Sequence, residues 1–200
     1  KRYLDLLFDQ DLADMFKKKA LFWQTMREFL IKKGFLEVET PILESTPGGA
    51  DAEPFITHHN ALGINLYLRI STGELWQKRL MVANLGKTFE IGRQFRNEGI
   101  DAEHLQDYTQ MEFYVSFADY EETMKIVQEM YQYVIEKTFN TLDFTIKNFR
   151  INFSGNWKNA CEEASMTMVE KYYLGERFVG IKEAMEAMQK LFSYQDRLYG

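Results

Sequence analysis

FEIGRQFRNEGIDAEHLQDYTQMEFY, Phe89 to Tyr114, reads as two strands joined by a charged loop. The first arm alternates around Phe89, Ile91 and the small residues between them, and the second around Tyr108, Met111 and Phe113. A period of two is the mark of a strand with one face buried. The loop between the arms carries Arg96, Glu98, Asp101, Glu103 and His104. An arginine supplies a fixed cation for a phosphate, a glutamate an acceptor for an exocyclic amine, and a histidine a group that titrates near neutrality. Together they suit a nucleotide held over a hairpin. A bare FRNEG is better read as a solvated turn, since short charged motifs match by chance. The flanking segments decide between the two.

Upstream, Leu12, Met15, Phe16, Phe22, Trp23, Met26, Phe29 and Leu30 recur at three- and four-residue steps between Asp11 and Lys33, which predicts an amphipathic helix ended by Gly34. Its lysines at 17, 18, 19, 32 and 33 read as a solvated face. Phe35 to Thr40 predicts a short strand closed by Pro41. Ser45 to Pro54 is a loop whose adjacent Gly48 and Gly49 allow a close backbone approach. Phe55 to Leu75 predicts a hairpin broken around Leu62 and Gly63, and Glu74 to Leu85 a second amphipathic helix on Trp76, Leu80 and Leu85. His58 and His59 are neighbours on a strand, so they face opposite ways and make a poor metal pair.

Downstream, Asp119 with Glu122 predicts a capping box opening a long helix that ends near Asn140. Two alternating runs, Leu142 to Ile146 and Phe149 to Phe153, predict a hairpin joined at Lys147 and Asn148. From Asn159 the pattern turns helical again, with a last stripe on Ile181, Ala184, Met185, Met188 and Leu191. The ten methionines are mostly in helices, where they fill cores.

Bulk properties limit the function. The chain of 200 residues, 46% hydrophobic and 15% aromatic, has enough apolar matter for a packed domain, and its three prolines mark no linker. One cysteine, Cys161, excludes an intrachain disulfide and a cysteine-rich metal cluster, which fits a reducing, cytoplasmic setting. No apolar run approaches a bilayer span, so no membrane partner is expected. The N-terminus has neither a signal peptide's apolar core nor a starting methionine, as expected of a chain that begins mid-protein. A net charge of -6 argues against field-driven binding of nucleic acid, so any such contact must be local.

In order and spacing, GFLEVETP, TPGGADAEPFITHHNAL and FEIGRQFRNEG...TQMEFY together resemble the catalytic domain of the class II lysyl-tRNA synthetases. GFLEVETP resembles that family's motif 1 and the hairpin its motif 2. The likeness covers residues 1-140 strongly and 141-200 weakly. It implies an α+β fold, class II aminoacyl-tRNA synthetase-like, with a largely antiparallel sheet flanked by helices, and one partial catalytic domain over 1-200. The implied activity is a lysine-tRNA ligase that makes lysyl-adenylate from lysine and ATP and passes lysine to tRNA. The family also implies a homodimer joined through residues 11-41.

Carried onto matching positions, the resemblance implies catalytic roles for Arg96 and His104. ATP would be bound by Arg96 at its α-phosphate, Glu98 at the adenine amino group, His104 at the outgoing phosphates and Tyr108 beneath the adenine. A flat ring at Tyr108 serves equally as a strand-core aromatic. Lysine would be bound by Glu112 and Tyr114 at its ε-ammonium and by Gly49 and Glu74 at its α-amino group, though Glu74 also fits an ordinary helix start. Glu112 and Tyr114 are two apart on a strand and so share a face.

The chain also departs from the family pattern. RISTGELW is one residue longer, and LQDY stands after His104 where an asparagine-proline-glutamate-phenylalanine run is usual. No glycine-rich motif 3 and no magnesium-holding acidic set occurs before Gly200, so Mg2+ ligands are expected elsewhere and the chain alone is expected to be poorly active or inactive. Two other functions fit these departures: a free-standing paralogue that aminoacylates a protein or small molecule, and a non-catalytic dimerising fragment.

Overall fold

The computed structural model describes residues 2–99, 104–146 and 149–156. The expected helical region from Asn159, the joint at Lys147 and Asn148, and the loop residues Asp101 and Glu103 lie outside the described residues. The described residues fall into two units, one up to Thr141 and one from Leu142 on.

The first unit opens with α1 (Arg2–Phe8) and the long α2 (Gln10–Lys32). Asp9 caps α2 by accepting from the Leu12 N–H at 2.9 Å. Gly34 ends it with φ +82°, a left-handed turn that glycine adopts without penalty. The expected α2 stripe is core at Leu12 and again in its C-terminal half, with an exposed stretch between. Leu30 is fully buried and Met26 and Phe29 nearly so, whereas Met15 and Phe16 are 55% and 46% exposed.

Beyond Gly34 the strand is shorter than expected. β1 (Leu36–Glu37) lies parallel to β5 (Lys87–Phe95), and Val38 still donates to the Phe89 carbonyl before the chain leaves the sheet. Two facts explain the early exit. The Thr40 N–H and hydroxyl both bind the buried Glu90 carboxylate rather than a neighbouring strand, and Pro41 has no N–H to continue pairing. β5 pairs antiparallel with β6 (Asp107–Val115), so this sheet is mixed, in the order β1-β5-β6.

A second, antiparallel sheet has the order β2-β4-β3, from β2 (Leu43–Glu44), β3 (Ile56–His59) and β4 (Ile64–Leu68). The β3–β4 hairpin turns where the break at Leu62 and Gly63 is expected, with Gly63 at φ +64°. His58 Nδ1 lies 3.1 Å from the Asn65 amide oxygen, and His59 Nδ1 accepts from the Leu62 N–H, so each imidazole has a local partner. The two sheets meet at Arg69: its N–H donates to Ile42 and its carbonyl accepts from Phe95.

α3 (Glu74–Val82) corrects the sequence reading. Its expected apolar stripe is only in part a core face: Trp76 and Leu80 are half-buried, Leu85 lies past the helix end and is 43% exposed, and the one buried residue of the helix is Gln77. The Trp76 ring carries the Arg79 guanidinium 4.6 Å from its centroid instead of entering the core.

α4 (Tyr120–Phe139) packs on α2, and Met130 and Val134 join Met26, Phe29, Leu30 and Phe89 in one cluster. Asp119 opens it with a reciprocal capping box: its side chain accepts from the Glu122 N–H at 2.9 Å while Glu122 accepts from the Asp119 N–H. Asp119→Ala is expected to cost about 1 kcal/mol in urea denaturation, the usual worth of an N-cap. In the second unit β7 (Asp143–Ile146) and β8 (Phe149–Asn152) form an antiparallel hairpin, with Arg150 bonded to Asp143 across it. Among the described residues no helix is long and apolar enough to cross a membrane.

Candidate active site

The register of β5 against β6 sets Thr88 opposite Tyr114, Glu90 opposite Glu112, Gly92 opposite Gln110 and Gln94 opposite Tyr108. Residues directly opposite share a face, so the hairpin has two unlike sides. Phe89, Ile91, Met111 and Phe113 point to the helices and join the core. The other side is polar, and the predicted site residues of β6 stand on it at steps of two.

At the loop end, Arg96, Glu98, His104 and Tyr108 line one cleft of about 250 Å³ with Gly99 and Gln106. All four residues expected at a nucleotide are therefore brought together. The Arg96 N–H donates to the Gln106 carbonyl at 2.8 Å, closing the base of the loop. The Arg96 Nε donates to the Ile70 carbonyl at 3.3 Å, and its guanidinium stands 5.7 Å from the Tyr108 ring centroid. Among the described residues no carboxylate pairs with this guanidinium.

At the other end, Glu112 is held by neutral donors. Its Oε1 accepts from the Thr72 N–H at 3.0 Å and from Gln110 Nε2 at 2.8 Å, and its Oε2 from the Tyr114 hydroxyl at 3.3 Å. No cation among the described residues pairs with it. Burial, and then the negative charges of Glu112 and Glu74, hold the Tyr114 phenol well above the usual tyrosine range, so it stays a protonated donor. Glu74 belongs to the same neighbourhood and is itself paired with Lys78 one turn along α3.

Gly49 is at φ +88°, and a Cβ there would stand 2.9 Å from the Glu74 Cβ, so only glycine lets this loop lie against Glu74. Ser71 anchors the loop by donating to the Gly48 carbonyl at 2.9 Å. Glu74, Glu112 and Tyr114, separated in sequence, thus lie in one acidic neighbourhood, with Gly49 against Glu74.

Gln110 joins the two halves. Its Oε1 is 3.4 Å from the Tyr108 hydroxyl and its Nε2 binds Glu112, so a continuous polar row runs from the cleft to Glu112. Sequence reasoning passed over Gln110, although its place midway between Tyr108 and Glu112 in the two-residue period was signal enough. It also missed the buried layer under the row: Arg69, Thr72, Gln77, Glu90 and Gln94 are each 4% exposed or less.

Chemically, one end offers a cation beside an aromatic face, and the other a carboxylate and a phenol that lack a cation. Such a surface suits an anion with a flat ring at one end and an ammonium at the other. No group of three or more His, Cys, Asp or Glu side chains among the described residues is placed to hold a metal ion. The described residues therefore do not fit a magnesium site of their own.

The chain is 47% identical over 189 residues to a protein named lysine--tRNA ligase from Clostridium botulinum strain Hall, a match covering 94% of this chain and 36% of that protein. It is 45% identical over 166 residues to one of the same name from Wigglesworthia glossinidia brevipalpis, covering 83% and 34%. A third, from Carboxydothermus hydrogenoformans, is 43% identical over 195 residues, covering 95% and 38%. The chain thus spans little more than a third of the length of these curated relatives. The family model for tRNA synthetases class II (D, K and N) matches residues 1–193, and with nearly the whole sequence covered, the chain belongs to that family.

Proposed function

We propose that the chain is part of the catalytic domain of a lysine-tRNA ligase, residues 1–200 forming a portion of that domain. The observation that carries this is Glu112: a carboxylate held by three neutral donors, with no cation partner among the described residues, beside a protonated Tyr114. Lysine's ε-ammonium supplies the missing charge, while a neutral or acidic side chain leaves Glu112 unpaired at a cost. The names of the relatives agree with lysine as the amino acid.

In the proposed reaction a lysine carboxylate oxygen attacks the α-phosphorus of ATP, the bond to the β-phosphate bridging oxygen breaks, and pyrophosphate leaves with that electron pair. The lysyl group of the adenylate then passes to the terminal ribose of tRNA, releasing AMP. Arg96 meets the negative charge that builds at the α-phosphate, Tyr108 lies under the adenine, Glu98 accepts from its amino group, and His104 stands by the outgoing phosphates. Gly49 and Glu74 receive the α-amino group. Catalysis by these residues is positioning and electrostatics, with no covalent enzyme intermediate. Homodimerisation through 11–41 belongs to the same proposal, supported by the exposed Met15 and Phe16 on α2.

The test is lysine-dependent exchange of pyrophosphate into ATP. Slow exchange that saturates in lysine is expected, with Arg96→Ala slowing it further by about a hundredfold, the usual effect of removing one charge-stabilising donor. An unchanged rate in Arg96→Ala would refute the role given to that guanidinium. Absence of exchange, with lysine still raising the melting temperature, would point to a non-catalytic fragment. Exchange followed by charging of a protein or small molecule in place of tRNA would point to a free-standing paralogue.

A further inference from the structure

The turn inside RISTGELW, from Arg69 to Gly73 between β4 and α3, is among the most deeply buried segments described. Arg69, Ile70, Ser71 and Thr72 are each 3% exposed or less. Connecting segments ordinarily run over the surface, because their backbone polar groups need partners. Here the partners are side chains, and they converge on Thr72.

Its carbonyl accepts from Gln77 Nε2 at 2.9 Å, its hydroxyl from Gln94 Nε2, and its N–H donates to Glu112 Oε1 at 3.0 Å. Gln77 is fixed in turn by the Thr88 hydroxyl, which donates to its Oε1 at 3.0 Å. Gln94 makes its contact while its side-chain amide oxygen is buried without a partner among the described residues, an arrangement that fold stability alone disfavours. Gly73 follows at φ +65°, packed against Thr40, so the turn is also closed from the opposite side.

From this geometry we infer that Thr72 and Gln94 are positioning residues for lysine: Gln94 holds the Thr72 side chain, and the Thr72 N–H fixes the Glu112 carboxylate in the orientation that receives the ammonium. The inference rests on the proposed role of Glu112 as the ammonium partner. Every donor in the chain is neutral, so Glu112 is oriented without being neutralised, and its negative charge is kept for the ligand.

Lysine and ATP titrations on the purified protein test it. Thr72→Val keeps the shape and the N–H but removes the hydroxyl, and is expected to weaken lysine about tenfold while leaving ATP affinity unchanged. Thr72→Ser restores the contact and is expected to bind lysine within about twofold of the parent. In a Glu112→Gln background Thr72→Val is expected to have no further effect, because the two act through one carboxylate. Gln94→Met removes the same contact from the other side and serves should Thr72→Val fail to fold.

Loss of lysine and ATP affinity together, or a full Thr72→Val effect on top of Glu112→Gln, would overturn the inference in favour of a structural role. Unchanged lysine affinity in Thr72→Val and Gln94→Met, with Glu112→Gln impaired, would overturn it and leave the role of Glu112 standing. No lysine binding by the parent protein, or none lost in Glu112→Gln, would remove both.

Discussion

Glu112→Gln is expected to weaken lysine binding about a hundredfold, roughly 2.7 kcal/mol, while ATP binding changes little. The substitution keeps the size and planarity of the group and removes its charge. In the parent site the carboxylate sits among the Thr72 N–H, the Gln110 amide and the Tyr114 hydroxyl, none of them charged. Those contacts hold its place, and an incoming ammonium supplies the opposite charge. The effect falls at the lower end of what a buried ion pair loses on truncation, because Glu112 is half-buried rather than sealed from water. Tyr114 cannot compensate, since burial and the neighbouring carboxylates keep its phenol protonated. Isothermal titration with lysine, and with norleucine as the isostere lacking the ammonium, measures the effect. Equal loss of both ligands would mean that Glu112 shapes the pocket and does not read the charge.

The candidate site was legible in the sequence where chemistry and periodicity agreed. Glu112 and Tyr114, two apart on an alternating strand, had to share a face, and the β5–β6 register places them on it. The cleft residues Arg96, Glu98, His104 and Tyr108 lie at the ends of the two arms, so closing the hairpin brings them together. What stayed hidden is polar and buried. Gln77 and Gln94 give no signal of burial, because glutamine is usually exposed and their burial depends on partners such as Thr72 that no periodicity reveals. α3 failed for the mirror reason: its leucines fit a helical stripe, yet Gln77 takes the inner face because Thr72 and Thr88 need its amide. β1 was read too long because a parallel two-residue strand, interrupted by a bond from Thr40 to Glu90, leaves almost no pattern. The mixed sheet follows from that one strand.

The largest loss of stability is expected from splitting the ion pair of Arg69 with Glu90, whose side chains are 3% and 5% exposed. Arg69 also donates through Nε to the Arg93 carbonyl at 3.0 Å and through Nη1 to the Thr40 carbonyl at 3.2 Å. Glu90 completes the cluster by accepting from the Thr40 N–H and hydroxyl at 3.1 and 2.6 Å. A few atoms thus tie the end of β4, the middle of β5 and the segment after β1. Gly92 makes room for them, since a Cβ there would stand 3.2 Å from the guanidinium carbon of Arg69 and 3.1 Å from Glu90 Oε1. Arg69→Met leaves Glu90 charged and buried with its strongest partner gone, and is expected to destabilise by about 3–5 kcal/mol. Adding Glu90→Gln removes the stranded charge, and the double variant is expected to recover part of that loss. Urea denaturation followed by tryptophan fluorescence measures both. Arg69→Met within about 1 kcal/mol of the parent would mean that water or a rearranged loop reaches Glu90. A double variant worse than Arg69→Met would mean that the hydrogen bonds of Glu90 to Thr40 outweigh its charge. If the pair behaves as expected, its effect reaches the site. The cluster fixes Arg69, whose main chain continues directly into Ile70, the anchor of Arg96, and Thr72, the donor to Glu112. Lysine and ATP affinities should then fall together in Arg69→Met, unlike the lysine-only loss in Glu112→Gln.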